Sequence, residues 1–418
     1  MGRKLQLDWI TILLYLALVT AGWMNIYSAS MEETQASFFD FGQIYFKQLI
    51  FIFTSMVLIV FILAVDAKFY ERFSSIIYLI SLASLLGLFV FGKNINGATS
   101  WYSFGAIGLQ PSEFAKAATA LALGKYVSDI QTNMRELKHQ LQSFLIIFLP
   151  ALFIIPQPDP GSALVYAAFV FPMYREGLNY IFIFLAFLSA TLFVGTLLVG
   201  VQWMFLLTVT VTLLYFLYRR KRKKKRIRWF NYGFFVIICF AFTLSVNYVF
   251  NNIFEQRHRD RFNIVLGKEV DAKGIGYNTN QSEIAIGSGG WTGKGWLQGT
   301  QTKGNFVPEQ HTDYIFSTVG EEWGFLGSMA VVLLFIFLII RVLFLAERQK
   351  STFGRVYGYS VASILFFHFF VNIGMVTGLL PTIGIPLPFI SYGGSSLWGF
   401  TILLFIFVRL DASNYINR

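Results

Sequence analysis

YIFIFLAFLSATLFVGTLLVGVQWMFLLTVTVTLLYFLY, residues 180–218, contains no charged side chain. As one helix it would reach about 58 Å at 1.5 Å per residue, nearly twice the apolar core of a bilayer. The stretch is therefore read as two crossings that turn near Gly200. That puts the chain among polytopic membrane proteins, and the composition agrees: of 418 residues, 56% are hydrophobic and 13% charged.

Outward from this pair, apolar runs lie near 9–29, 46–65, 73–92, 111–127, 141–156, 161–174, 230–250, 314–340, 357–380 and 388–408, so about twelve spans are expected. The first follows the basic head MGRKLQLD and reads as a retained signal anchor. Loops on one side carry Lys68, Arg72, Lys125, Arg135, Lys138, Arg175, Arg341, Arg348, Lys350 and Arg355, with RRKRKKKRIR at 219–228. Short loops on the other carry mainly acids: Glu32, Glu33, Asp40 and Asp159. By the positive-inside rule both termini are cytoplasmic, while 93–110, 156–162, 251–312 and 379–388 lie outside. The basic decapeptide supplies most of the formal charge of +11 and reads as a topology anchor near anionic lipid, not a nucleic-acid site. A single cysteine, Cys239, excludes a disulfide framework and a thiolate metal site.

Charges at membrane depth are costly, and those on the outer side are the candidates for chemistry. QPSEFAK (110–116) opens a helix at Pro111 and sets Glu113 and Lys116 on one face. Asp159, in PQPDPGS (156–162), is either a turn aspartate or an outer-face acid. In HTDYIF (311–316), Asp313 reads as a helix cap or as a base, with a helix starting close to Thr312 or Asp313 and His311 beside it. Glu321 would then share Asp313's face about 12 Å deeper, while Glu322 would pair with a neighbouring helix. The glycine-rich loop IAIGSGGWTGKGWLQGTQTKGNF (284–306) fails the Walker A pattern, because Gly293-Lys294 is followed by Gly295. It reads either as turn glycines or as a surface approached by a polar ligand. The small residues from Ser391 to Ser396 read first as helix packing, as does His368.

NGATSWYSFGAIGLQPSEFAK, PQPDPGS, QSEIAIGSGGWTGKGWLQGTQ, FVPEQHTDYIFSTVGEEWGFLG and GIPLPFISYGGSS, in this order, resemble the SEDS family of bacterial wall synthesis, the RodA/FtsW proteins, and most closely its elongation branch. The likeness spans nearly the whole chain. It implies an all-α GT-C-like membrane fold over 1–418 in the bacterial cytoplasmic membrane. The family core has ten helices, so 180–228 would be inserted helices with a basic loop, and 251–312 a large extracytoplasmic loop. It also implies a peptidoglycan glycosyltransferase that polymerises lipid II, carried on undecaprenyl pyrophosphate, with a class B penicillin-binding protein and other elongation-complex membrane proteins as partners.

By the same resemblance Asp313 takes the role of the family's essential aspartate. Lys116, Glu113, Gln110, Asp159, His311, Lys294 and Ser391 are expected at the substrate, and Glu113 is a candidate ligand for Mg²⁺ or Mn²⁺. Ser100 stands where the family often has arginine before tryptophan, which leaves Lys93 as a substitute. The rival readings are a lipid II transporter and a non-catalytic scaffold.

Overall fold

The computed structural model describes residues 6–31, 40–95, 98–105, 107–222, 229–254, 256–268 and 276–416. Glu32, Glu33 and residues 223–228 of the basic decapeptide lie outside the described residues, as do 269–275 of the long loop.

Helices begin where the sequence supplies caps. Asp8 accepts from the Thr11 amide at 3.0 Å to start α1 (Trp9–Ser30). After α2 (Ile44–Ala64), Asp66 does the same for Lys68 at 3.1 Å at the start of α3 (Ala67–Phe91). The chain then forms an antiparallel meander of β1 (Lys93–Ile95), β2 (Ala98–Phe104) and β3 (Ile107–Leu109), with Lys93 opposite Trp101. The sequence reading treats this region as a loop; in a mostly helical fold it is the exception.

Next come α4 (Pro111–Val127) and α5 (Leu137–Ile154). The expected span at 161–174 is a broken helix made of α6 (Pro160–Leu164), a 3₁₀ turn (Val165–Phe169) and α7 (Val170–Arg175). Pro160 starts α6 at a position where its missing N–H is no loss, whereas Pro172 denies an N–H to the Ala168 carbonyl and so interrupts the ladder between the 3₁₀ turn and α7. The uncharged stretch is two helices, α8 (Tyr180–Val199) and α9 (Val201–Arg222), parted at Gly200 with φ +83°. There follow α10 (Trp229–Asn252), α11 (Gln256–Val265), α12 (Tyr277–Ser288), α13 (Thr300–Lys303), α14 (Ile315–Glu347), α15 (Thr352–Val376) and α16 (Gly394–Ile416).

Among the described residues ten helices are long and apolar enough to cross a membrane: α1, α2, α3, α5, α8, α9, α10, α14, α15 and α16. The other two expected spans are α4, with 17 residues, and the broken segment. Two compact units divide the chain, one of residues 1–178 and 278–418 and the other of 179–277. The second therefore takes in α10, α11 and the first part of the long loop as well as the expected insertion.

In the larger unit α4 is central, packed by α3, α15 and α16. Its small residues (Ala115, Ala117, Ala118, Ala120, Ala122) let those helices close in. The candidate outer loops meet at one end of this unit. Thr99 N–H donates to the Gln157 carbonyl at 3.1 Å, Ser395 Oγ to Gly108 O at 3.0 Å, and Tyr392 N–H to His311 O at 2.9 Å. The candidate inner arginines are paired in turn: Arg175 with Glu347, Arg355 with Glu176, Arg348 with Asp411, and Arg341 with Asp8.

Candidate functional site

Pro111, at the first turn of α4, lacks the N–H that a helix start leaves unpaired. One turn in, Lys116 is 1% exposed, with its Nζ 2.9 Å from Glu113 Oε2 and 3.0 Å from His368 Nε2. It also lies 4.5 Å from the Phe400 ring centroid. The expected Glu113–Lys116 pair is present. The packing histidine of the sequence reading has Lys116 as its polar neighbour, 252 positions away in the chain.

The other α4 candidate is linked to Asp159. Gln110 Nε2 donates to Asp159 Oδ2 at 3.0 Å, and the Gln110 N–H donates to Ser395 Oγ at 3.0 Å. Asp159 also accepts from the Ser162 N–H at 3.0 Å, capping α6. It is thus both a turn aspartate and a partner of the QPSE segment.

Asp313 lies in a turn, not a helix. The α14 helix begins at Ile315 after Tyr314, with no side-chain cap, which corrects the expected cap role. Glu309 at φ +56° lets the Thr312 and Tyr314 N–H groups both donate to its carbonyl, at 3.0 and 3.3 Å, and so sets up this turn. Ser391, buried at 3% exposure, holds the turn from the other side: its Oγ donates to Thr312 O and accepts from Leu387 N–H, both at 2.8 Å. The His311 ring stacks edge-on to Tyr392 at 5.7 Å. Burial pushes its pKa below the ordinary value, against the opposing pull of Glu309.

One short segment, residues 382–386, joins these pieces. A Cβ on Gly384 (φ +78°) would stand 3.3 Å from Asp313 Oδ2, and one on Gly161 would stand 2.9 Å from Ile383 O. Asn372 Nδ2 donates to Asp313 O at 2.8 Å and to Ile385 O at 2.7 Å. His368 Nδ1 lies 3.1 Å from Pro386 O. Thr382 Oγ1 lies 3.0 Å from Tyr314 Oη and 3.2 Å from Thr279 Oγ1. His368 and Asn372 are one turn apart on α15, so the Lys116 cluster and the Asp313 turn are bridged along about 6 Å of one helix. Sequence reasoning missed Asn372, Thr279 and Thr382, which are neutral residues without a motif. A polar i,i+4 pair inside the apolar run FFHFFVNI was the available signal for His368 and Asn372.

Glu321 does not point along Asp313's face, and that expectation is corrected, because the helix register starts after Asp313. Its carboxylate accepts from the Gln301 N–H at 2.8 Å, the Thr302 N–H at 2.9 Å, Thr302 Oγ1 at 2.8 Å and Lys294 Nζ at 2.7 Å. It therefore caps α13 from outside. The α14 helix is broken at Gly324 (φ +63°), and the loop fills the break: Lys294 and Gly295 N–H donate to Glu321 O and Glu322 O, both at 3.0 Å. Glu322 accepts from Ser28 on α1 at 2.5 Å, the expected pairing with a neighbouring helix. Lys93 is exposed and stands 3.4 Å from Ser103 Oγ, while Ser100 is buried.

A divalent cation at Glu113 does not fit this donor set. The Lys116 ammonium already holds one carboxylate oxygen, and no group of three His, Cys, Asp or Glu converges among the described residues.

The fold and site define a multi-pass membrane protein that buries a lysine–glutamate–histidine cluster beside an aspartate-bearing turn. The family model described as a cell cycle protein, that of FtsW, RodA and SpoVE, matches residues 8–234 and 226–416. The peptidoglycan glycosyltransferase MrdB of Escherichia coli K12 is 33% identical over 94% of this chain and 90% of its own length. The peptidoglycan glycosyltransferase RodA of Treponema pallidum is 31% identical over 97% of each chain. A chain from a peptidoglycan synthase complex, solved for the structural coordination of polymerization and crosslinking, superposes with a TM-score of 0.72 at 25% identity over 99% of both chains. The chain belongs to the FtsW/RodA/SpoVE family, the SEDS proteins.

Proposed function

We propose that this protein is a peptidoglycan glycosyltransferase that polymerises lipid II on the outer face of the bacterial cytoplasmic membrane during elongation and shape maintenance. Both termini are cytoplasmic, and the glycan grows on undecaprenyl pyrophosphate. A class B penicillin-binding protein is the crosslinking partner, a reading supported by the synthase complex to which the chain is similar. The proposal rests on one observation above the rest. The segment 382–386 gathers the Asp313 carboxylate, the turn after Asp159, and the histidine that holds Lys116.

In the reaction the 4-hydroxyl oxygen of the GlcNAc on an incoming lipid II bonds to C1 of the donor MurNAc. The bond from C1 to the lipid pyrophosphate breaks with inversion, and its electron pair leaves on the phosphate oxygen. Asp313 takes the hydroxyl proton. Lys116, wholly buried, acts in this conformation as a positioning residue through His368 and Pro386. The leaving pyrophosphate falls to cations that face solvent, Lys93 among them. Lys294, joined to Glu321 and Thr300, steadies the loop beside the site.

The test is polymerisation of lipid II by the purified protein with its partner. Asp313→Asn is expected to lower the rate by about a hundredfold to ten-thousandfold, the range of a general base. Full activity in the variant overturns the base assignment. Lipid II movement across vesicles with no glycan product overturns the enzyme in favour of a transporter.

A further inference from the structure

A polar cavity is lined by His311, two residues before Asp313. It encloses about 320 Å³ between the end of α1, the start of α2 and the loop around α13, a volume at the lower limit of small-ligand pockets, about 300 Å³. Its two sides differ in chemistry. The α1–α2 side gives Ala29, Met31 and Ile44 and is apolar but for Ser30, whose hydroxyl turns back to Ile26 O, while the loop gives Thr302, Lys303, Asn305 and His311.

The polar groups have capacity to spare. Among the described residues the Lys303 ammonium makes no hydrogen bond or ion pair, and the His311 ring nitrogens make none. The Asn305 side chain is engaged only at Oδ1, which shares the two Gln310 Nε2 hydrogens with Ala29 O and Thr302 O, so among the described residues its own two amide hydrogens are uncommitted. An apolar wall facing a rim of uncommitted donors matches a pyranose ring, with its C–H face and its hydroxyl edge. The polar side is held from behind: Glu321 caps α13, whose last residue is Lys303, and Gln310 ties Ala29 O and Thr302 O together at 2.8 and 2.9 Å.

We infer that this cavity is a saccharide subsite, which holds a sugar of the acceptor next to the one whose hydroxyl faces Asp313. His311 and Asp313 are two residues apart, at most about 7 Å along an extended chain, a reach that neighbouring sugars of one strand can share. The assignment rests on the glycosyltransferase reading for its substrate, and its test does not need turnover.

The full-length protein in detergent is treated with a reductive methylation reagent. Labelling of Lys303 and Lys125 is then followed by mass spectrometry with and without the GlcNAc–MurNAc disaccharide. The subsite predicts that the disaccharide lowers Lys303 labelling at least threefold and leaves Lys125 unchanged, in wild type and in Asp313→Asn alike. Asn305→Gly, which Asn305's φ of +51° accommodates, should weaken that protection severalfold. Protection by inorganic pyrophosphate with none by the disaccharide overturns the saccharide assignment, and so does no protection by either. If Asp313→Asn polymerises normally while Lys303 is still protected, the base assignment fails and the subsite stands.

Discussion

The Lys116 ammonium and the His368 imidazole meet at 3.0 Å inside the helix bundle. An ammonium only donates, so with Lys116 charged beside Glu113 the His368 Nε2 must accept. The ring proton then sits on Nδ1 and is donated to Pro386 O at 3.1 Å. A charge on α4 thereby fixes the tautomer that pins the segment carrying Gly384 against Asp313.

Replacing His368 by Phe keeps a ring of similar size and removes both bonds. It leaves one ammonium proton and one carbonyl without partners in a dry site, a cost of about 1–3 kcal/mol for each such group. The thermal midpoint in detergent should fall, and lipid II polymerisation by at least tenfold. An unchanged midpoint would mean that the His368 contacts do not carry the segment.

Glu113 and Lys116 are both nearly fully buried, and removing one partner of such a pair costs about 3–5 kcal/mol. Glu113→Ala and Lys116→Met should each destabilise the protein strongly. The double variant should recover much of that loss, since it leaves no unpaired buried charge, yet stay inactive in lipid II polymerisation. Recovery of activity along with stability would reduce the pair to a structural ion pair.

Gly384 is held at φ +78° with Asp313 Oδ2 close to where a Cβ would be. Gly384→Ala should cost about 1–2 kcal/mol in backbone strain and displace the carboxylate by tenths of an ångström. The expected signature is a drop in the polymerisation rate of tenfold or more with a small change in thermal midpoint. The opposite pattern, intact rate and large destabilisation, would separate Gly384 from the site.

Much of this was legible in the sequence because it is local. The turn at Gly200 and the Glu113–Lys116 face each follow from spacing within one element. The sheet was missed, although Asn96-Gly97 between Ile95 and Ala98 is a strong hairpin signal, because β1 and β3, of three residues each, are too short to show an alternating pattern. The break at Gly324 was not legible: an isolated glycine in an apolar run is ordinarily tolerated as helix, and here the loop supplies the compensating hydrogen bonds from a distance. The 382–386 hub was out of reach for the same reason, since its partners come from residues 161, 313, 368 and 372.

Glu321 collects two backbone N–H groups, two hydroxyls and an ammonium. Glu321→Ala strands these donors and should destabilise the 289–303 loop by about 3 kcal/mol, discounted for the partly exposed Lys294. Limited proteolysis should cut the loop faster in the variant than in wild type. Equal cutting rates would show that the helix break, and not the carboxylate, holds the loop in place.

His311 gives a pH dependence of definite sign. Burial holds its folded pKa below the ordinary 6.5, so as pH falls through 6.5 the unfolded chain takes up a proton that the folded chain resists. Stability is thus fully present above pH 6.5, declines below it, and levels off only under the folded pKa. Thermal midpoints measured from pH 7.5 to 5.5 should fall in wild type, and His311→Asn should flatten the part of that slope near pH 6. The backbone bond from Tyr392 N–H to His311 O survives the change, so the variant should keep its fold at pH 7.5. An identical slope in the two proteins would assign the pH sensitivity to other groups and leave the imidazole as a passive wall of the cavity.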